Sequence, residues 1–400
     1  MNSKKTIVSL EQALTLPYAT QRFVQLGWRV IRIESPGTPE QHNGDPNRYI
    51  GEETGADDLH AYYIAPNIGK EAITINLKKA GGKELLRRII RELKVDVFLC
   101  NTLPKRYEQL GIDYDTLKKE NSEIIWCGIS ALGPEYPDRA GYDPALQAML
   151  GYMHLTGEPD GDPMLCGLPI IDLKAGDEAF TQVLLALMEK EHSGKGKRID
   201  ISMAQCATSW LITALPQVWF AKDESQMFTR SGNEHRSFVP SNCYPTKDGY
   251  VYLAIGNDSQ WEKLCHIPGF EHCSNPKRLT NNDRKADKEN IYADIRKGLE
   301  NYTTEIFIDI CLKNNMAVAP VLAVKDVAEL DFVKELMVRT TLPNGRTVPL
   351  SPSPMQTDFL NDHNNLLPCA PRLGEHNRQI LTEVGLTSSE IMELEKNKLI

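Results

Sequence analysis

The order strand, helix, strand at the N-terminus limits the fold more than any other feature. "TIVSL" is a short apolar strand. "PYATQRFVQLG" follows as a helix, with Pro17 in its first turn and Gly27 as its C-terminal cap. "WRVIRIE" is a second strand, β-branched at Val30, Ile31 and Ile33. Two strands joined by a helix pair in parallel, through a right-handed crossover.

The pattern recurs. "GGKELLRRIIREL" places Leu85, Leu86, Ile89, Ile90 and Leu93 along one helical face, and "VDVFLCN" follows as a buried strand. "YDTLKKEN" is a short helix and "EIIWCGIS" a strand. "MLCGLPII" reads as a further strand, which places Asp172 at its end. "EAFTQVLLALMEKEHSG" is an amphipathic helix closed by Gly194, and "GKGKRIDISM" returns as a strand. The expected fold class is α/β, with a Rossmann-like large domain on a parallel sheet over residues 1–221.

Past Ala221 the character changes. "DGYVYLAIGNDSQWEKLC" is strand, turn and helix, and "NNMAVAPVLAVKDVAEL" is another strand-to-helix unit. A smaller α/β domain over 222–330 is expected. Residues 331–400 read as a segment returning to the large domain, ending in two short helices, the second capped by Thr387 or Ser388.

Several function classes are disfavoured. The net charge of -9 lacks the basic stripe that nucleic acid requires. No window approaches the ~20 apolar residues of a membrane span. The nine cysteines are scattered without a C-x-x-C pair, which fits reduced thiols in the cytoplasm and gives no zinc-ligand spacing. The turn after the first strand, "SLEQALTLP", carries no G-x-G-x-x-G, and no P-loop or G-x-S-x-G occurs. Open α/β sheets nonetheless bind ligands beyond the carboxyl ends of their strands.

Asp172, in "GLPIIDLKAGDEAF", is the lone acid at such a position. Residue type alone allows a helix N-cap. It equally allows a carboxylate nucleophile in a partly dry pocket. Gly167, Ala175 and Gly176 around it permit close approach of a backbone or ligand.

The block "LTGEPDGDPMLCGLPIIDLKAGDEAFTQVLLALMEKEHSGKGKRIDISM" resembles the centre of the family III CoA-transferases, the formyl-CoA and carnitine-CoA transferase family. "PYATQRFVQLGWRVIRIESPG", "NIGKEAITINLKKAGGKELL", "QLGIDYDTLKKENSEIIWCGISALG", "DGYVYLAIGNDSQWEKLC" and "RLGEHNRQILTEVGL" match other blocks of it in order. The resemblance implies that Asp172 attacks an acyl-CoA thioester to form a mixed anhydride, then carries CoA as an aspartyl thioester. It implies coenzyme A and acyl-CoA as substrates, with no tightly bound cofactor and no metal, and a small carboxylic acid as acceptor.

The resemblance also implies CoA contacts from the turn Gln12, Ala13, Leu14 and Thr15, from Lys78, from Asn101, and from Lys105 or Arg106. Gln109 stands where the family has an arginine. A mobile glycine-rich loop over the intermediate corresponds to Gly256, Asn257 and Asp258, with one glycine only. A plain strand-to-helix turn, capped by Asp258 or Ser259, is the other reading of that segment. Tyr142 and Asp143 in "GYDPAL" are expected near the site, with Asp143 otherwise a turn residue before Pro144.

Acyl-CoA racemases of the same superfamily carry a histidine where this chain has Tyr142. A tyrosine, with a reference pKa of about 10, is a poor base near neutral pH, so transferase is preferred. A non-catalytic partner subunit is the other alternative, and the retained Asp172 argues against it. The N-terminal stretch resembles the succinyl-CoA-dependent branch that activates aromatic succinates such as benzylsuccinate. Carnitine-type, oxalate and other dicarboxylate acceptors stay open. The family's interlocked dimers imply a homodimer, or a heterodimer or heterotetramer with a related subunit.

Overall fold

The computed structural model describes residues 4–37, 43–223 and 228–400. The chain forms two compact units. The first comprises Met1–Leu150, Cys166–Phe220 and Phe332–Ile400, and the second Gly151–Leu165 and Ala221–Asp331.

Six strands build the main sheet of the first unit: β1 (Thr6–Leu10), β2 (Arg29–Glu34), β3 (Glu71–Thr74), β4 (Val97–Cys100), β5 (Ile125–Ser130) and β6 (Lys197–Ser202). They are parallel and ordered β3-β2-β1-β4-β5-β6, a doubly wound arrangement. The α/β class and the parallel sheet are therefore as the sequence implies. Helices α1 (Thr15–Gln25), α2 (Ala80–Glu92), α3 (Asp143–Met149) and α4 (Ile170–Ser193) accompany it. Alternate side chains of a strand point to opposite faces. Val8, Ile31, Phe98 and Trp126 pack with Leu85, Leu86, Ile89 and Ile90 of α2 and with Ile380 and Leu381 near the C-terminus. α1 packs against α4, with the Phe23 and Phe180 ring centroids 4.9 Å apart.

Two expectations need correction here. "MLCGLPII" forms no strand: Ile170 and Ile171 open α4, and Asp172 sits in its first turn instead of at a strand end. An apolar run of this length belongs equally to a buried helix, and periodicity does not separate the two. α1 begins at Thr15, before Pro17. Gly27, at φ +77°, does follow its C-terminus in the left-handed conformation that glycine favours.

The second unit holds an antiparallel sheet of β7 (Ser241–Pro245), β8 (Tyr250–Ala254) and β9 (Ala317–Pro320), with β8 central. Helix α5 (Asp258–Cys265) packs Trp261 and Leu264 into a core shared with Tyr244, Phe270 and Phe307. In the first unit, the final helix Ser388–Lys396 is capped by Thr387 in a capping box with Glu390. Among the described residues, no helix is long and apolar enough to cross a membrane.

Candidate active site

The strand order reverses between β1 and β4, and an open parallel sheet leaves a crevice at such a point. A cavity of about 360 Å³ lies beyond these carboxyl ends. Gln12, Ala13, Thr15, Lys78, Asn101, Arg106, Tyr142 and Asp172 all line it. Leu14 and Lys105 are not among its lining residues. Leu14 is the backbone N-cap of α1, and Lys105 pairs with Asp138 at 2.8 Å on the surface.

The turn after β1 is held in an uncommon shape. Ala13 has φ +60°, a left-handed conformation costing a non-glycine residue roughly 1–2 kcal/mol. Asp45 Oδ1 accepts the Ala13 N–H at 3.2 Å, and Asn47 Nδ2 donates to the Ala13 carbonyl at 2.8 Å. Asn101 grips the neighbouring residue: the Gln12 N–H donates to Asn101 Oδ1 at 3.1 Å, and Asn101 Nδ2 donates to the Gln12 carbonyl at 2.8 Å. The Asn101 amide thus ties the ends of β1 and β4 together.

Below the turn lies a buried ionic network. Arg32 Nη2 is 3.1 Å from Asp45 Oδ2, and Lys70 Nζ is 2.6 Å from Glu11 Oε1. Burial pushes the Lys70 ammonium down to about 8, although Glu11 opposes that. Burial would raise Glu11, but Lys70 and Arg32 overrule it and hold the carboxyl below its ordinary value. Paired and hydrogen-bonded buried charges of this kind rigidify what they touch.

Asp172 itself is half-buried, and its Oδ1 accepts the Thr15 hydroxyl. Burial pushes the carboxyl up to about 6; the Thr15 hydrogen bond pulls it down, and the charge of Asp143 adds to the rise. Thr15, expected to contact CoA, lines the cavity and engages the central carboxylate through its hydroxyl.

α4 has no side-chain cap from its own N-cap residue, Pro169. Asp143 supplies it from the start of α3. Its Oδ2 accepts the N–H groups of Ile171 at 2.7 Å and Asp172 at 3.2 Å, while Gln147 Nε2 holds Oδ1 at 2.6 Å. A helix leaves its first N–H groups without intrahelical partners, and a carboxylate satisfies them well. The capping role that residue type allows Asp172 thus falls to Asp143. The Asp172 carboxylate is left to Thr15 and the cavity. Tyr142, 70% exposed, also borders it.

In the second unit, Asn257 caps α5 by accepting the Gln260 N–H at 2.9 Å; neither Asp258 nor Ser259 does so. The cap belongs to Asn257 because its backbone is extended while Asp258 is already helical. Asp258 pairs with Arg284 at 2.8 Å, and the Gly256 N–H donates to Gln260 Oε1 at 2.8 Å. A Cβ at Gly256 would meet nothing closer than 3.6 Å, so the local backbone does not demand glycine there.

Residues 3–377 match CoA-transferase family III. The chain belongs to that family. A succinate–glutarate CoA-transferase of Agrobacterium fabrum is 30% identical over 399 residues, covering 94% of each chain. An acetyl-CoA:oxalate CoA-transferase of Acetobacter aceti is 31% identical over 381 residues, again covering 94% of each. The crystal structure of a CaiB/BaiF family protein from Brucella suis superposes with a TM-score of 0.83 at 29% identity, covering 95% of this chain and 98% of that one.

In this family III CoA-transferase, several site residues carry no local signal in the sequence. Arg139 lines the cavity beside Tyr142, in a stretch that reads as a polar loop. Burial raises the Tyr62 phenol, and the nearby charges of Asp172 and Asp143 raise it further. The bonds of Asp172 to Thr15 and of Asp143 to α4 span 157 and 29 residues, beyond any local pattern.

Proposed function

We propose that this enzyme moves CoA from an acyl-CoA donor, succinyl-CoA first among them, to a small dicarboxylic acid, with Asp172 as nucleophile. The observation that carries the reading is the division of labour at the start of α4. Asp143 caps the helix, so Asp172 keeps an ionisable carboxylate at the cavity, oriented by Thr15.

The chemistry runs in balanced steps. Asp172 Oδ2 attacks the thioester carbonyl; the C–S bond breaks, CoA leaves as thiolate, and a mixed anhydride forms. The thiolate then attacks the aspartyl carbonyl carbon, releasing the donor acid and leaving an aspartyl-CoA thioester. The acceptor carboxylate attacks this thioester, forming a second anhydride and freeing the thiolate again. Attack of that thiolate on the acceptor acyl carbon yields the new acyl-CoA and regenerates Asp172. A carboxylate is a weak nucleophile, so it must be held close to its target and away from bulk water.

Gln12, Ala13, Lys78, Asn101, Arg106 and Arg139, which line the cavity, are assigned to CoA, with the three cations at its phosphates. The names of the two relatives support small aliphatic dicarboxylates as acceptors. Benzylsuccinate belongs in the test panel as the aromatic member. The exposed apolar side chains Ile212, Trp219 and Phe220 support association with a second chain in a dimer, read out by light scattering. The nine free thiols support a reducing, cytoplasmic setting.

The test is a matrix of acyl-CoA donors and free acids assayed for CoA exchange, with Asp172→Ala as control. Transfer to succinate, glutarate or oxalate that Asp172→Ala abolishes is the expected result. Full activity in Asp172→Ala overturns the reading.

A further inference from the structure

The helix pair that presents Asp172 meets at a glycine. A Cβ built at Gly176 would lie 2.7 Å from the Thr15 carbonyl oxygen and 2.8 Å from a ring carbon of Tyr18. A main-chain oxygen does not swing aside as a side-chain tip does. A methyl group there needs roughly half an ångström to one ångström more room. Gly176 lies one turn along α4 from Asp172, on the same face. The atom it would strike belongs to Thr15, the residue whose hydroxyl holds Asp172.

The neighbouring residues draw the two helices together around this point. Asp177 pairs with Arg22 and accepts the Tyr18 hydroxyl at 3.2 Å. The Arg22 guanidinium carbon stands 4.6 Å from the Phe180 ring centroid. Ala19 of α1 and Ala175 and Ala179 of α4 are buried, so small residues surround the contact. An O–H···O hydrogen bond spans about 2.5–3.0 Å between heavy atoms, and at about 3.6 Å it no longer exists. The separation of α1 and α4 at this turn therefore decides whether the Thr15 hydroxyl reaches Asp172.

We propose that Gly176 is a positioning residue for CoA transfer: by lacking a side chain it lets α1 close on α4 to the distance at which Thr15 orients Asp172. The proposal rests on the reading of Asp172 as nucleophile. It makes Gly176 act through Thr15 and in no other way.

The experiment is a double-mutant cycle on the full-length enzyme, with Gly176→Ala, Thr15→Val and the pair. An ångström of misplacement is worth up to about 100-fold in rate. Gly176→Ala is expected to lower kcat about 10- to 100-fold, with the KM for acyl-CoA changed less than about 3-fold. The acid limb of its pH profile is expected to move to higher pH, as in Thr15→Val, because both lose the same hydrogen bond. The pair is expected to match the worse single variant within about 2-fold, since one broken contact cannot be broken twice. Multiplying effects, or wild-type kcat in Gly176→Ala, overturn the proposal. If Gly176→Ala does not fold, Asp177→Ala replaces it, which loosens the same helix pair at a partly exposed side chain. Its smaller loss of kcat must disappear in the Thr15→Val background, and persistence there overturns the proposal. Asp172→Ala separates the two levels: activity in that variant refutes the nucleophile itself, whereas an inactive Asp172→Ala beside an additive cycle refutes only the role of Gly176.

Discussion

Asp172→Asn should make the enzyme inactive and more stable, and the gain should depend on pH in a defined way. Folding lifts the Asp172 carboxyl from its ordinary 3.8 to about 6. A raised acid pKa means that the native state binds its proton more tightly than the unfolded chain, so the wild type loses stability as pH climbs between the two values. Two pKa units correspond to about 3 kcal/mol. The amide resembles the neutral acid, and both accept the Thr15 hydroxyl, so the variant escapes this loss. Contact of the half-buried carboxylate with water in the cavity reduces the expected gain to about 2 kcal/mol at pH 8. Chemical denaturation of both proteins without substrate, from pH 4 to pH 8, reads the difference. The two stabilities should converge near pH 4, separate through pH 6 and stay apart by a constant amount above it. A less stable Asp172→Asn at pH 8, or a gap independent of pH, would refute the reasoning.

Other outcomes follow from the same geometry. kcat/KM for acyl-CoA should rise with slope one below about pH 6 and level off above it, because only ionised Asp172 attacks; Thr15→Val should move the knee upward, seen in initial rates across pH. Asp143→Ala removes the acceptor of two N–H groups and should cost about 1–2 kcal/mol, with amide exchange quickened in the first turn of α4. Arg139→Ala should raise the KM for acyl-CoA about 10-fold at nearly constant kcat and flatten its salt dependence, measured by steady-state kinetics. Lys70→Met takes from buried Glu11 the nearer of its two cations, leaving Arg32 at 3.8 Å, and should destabilise the protein by about 3 kcal/mol, measured by denaturant titration.

The sequence was informative where a signal was local and periodic. β1 and β2 follow from short apolar, β-branched runs, α1 from a first-turn proline and a closing glycine, and α2 from its apolar stripe. The capping box at Thr387 needed only two residues three apart. Legibility ended where partners are distant. The start of α4 was hidden because its cap comes from Asp143 and not from the residue before the helix. Arg32, fully buried in β2, looks like any solvent-facing residue of an alternating strand until Asp45, Glu34 and Glu11 are brought around it. Thr15 stood in a stretch matched to CoA binding, and only the packing of α1 on α4 shows that its hydroxyl is engaged by Asp172. Family resemblance reached the carboxylate before the geometry did, yet the reason that carboxylate is free lies in Asp143.

The most direct measurement is mass spectrometry of the peptide containing Asp172, after brief exposure of the enzyme to succinyl-CoA and rapid quenching. The expected result is a CoA-sized mass increase on Asp172, discharged when a dicarboxylic acid acceptor is added and missing in Asp172→Asn. Rapid CoA exchange with no adduct on Asp172, or with the adduct on another residue, would contradict it.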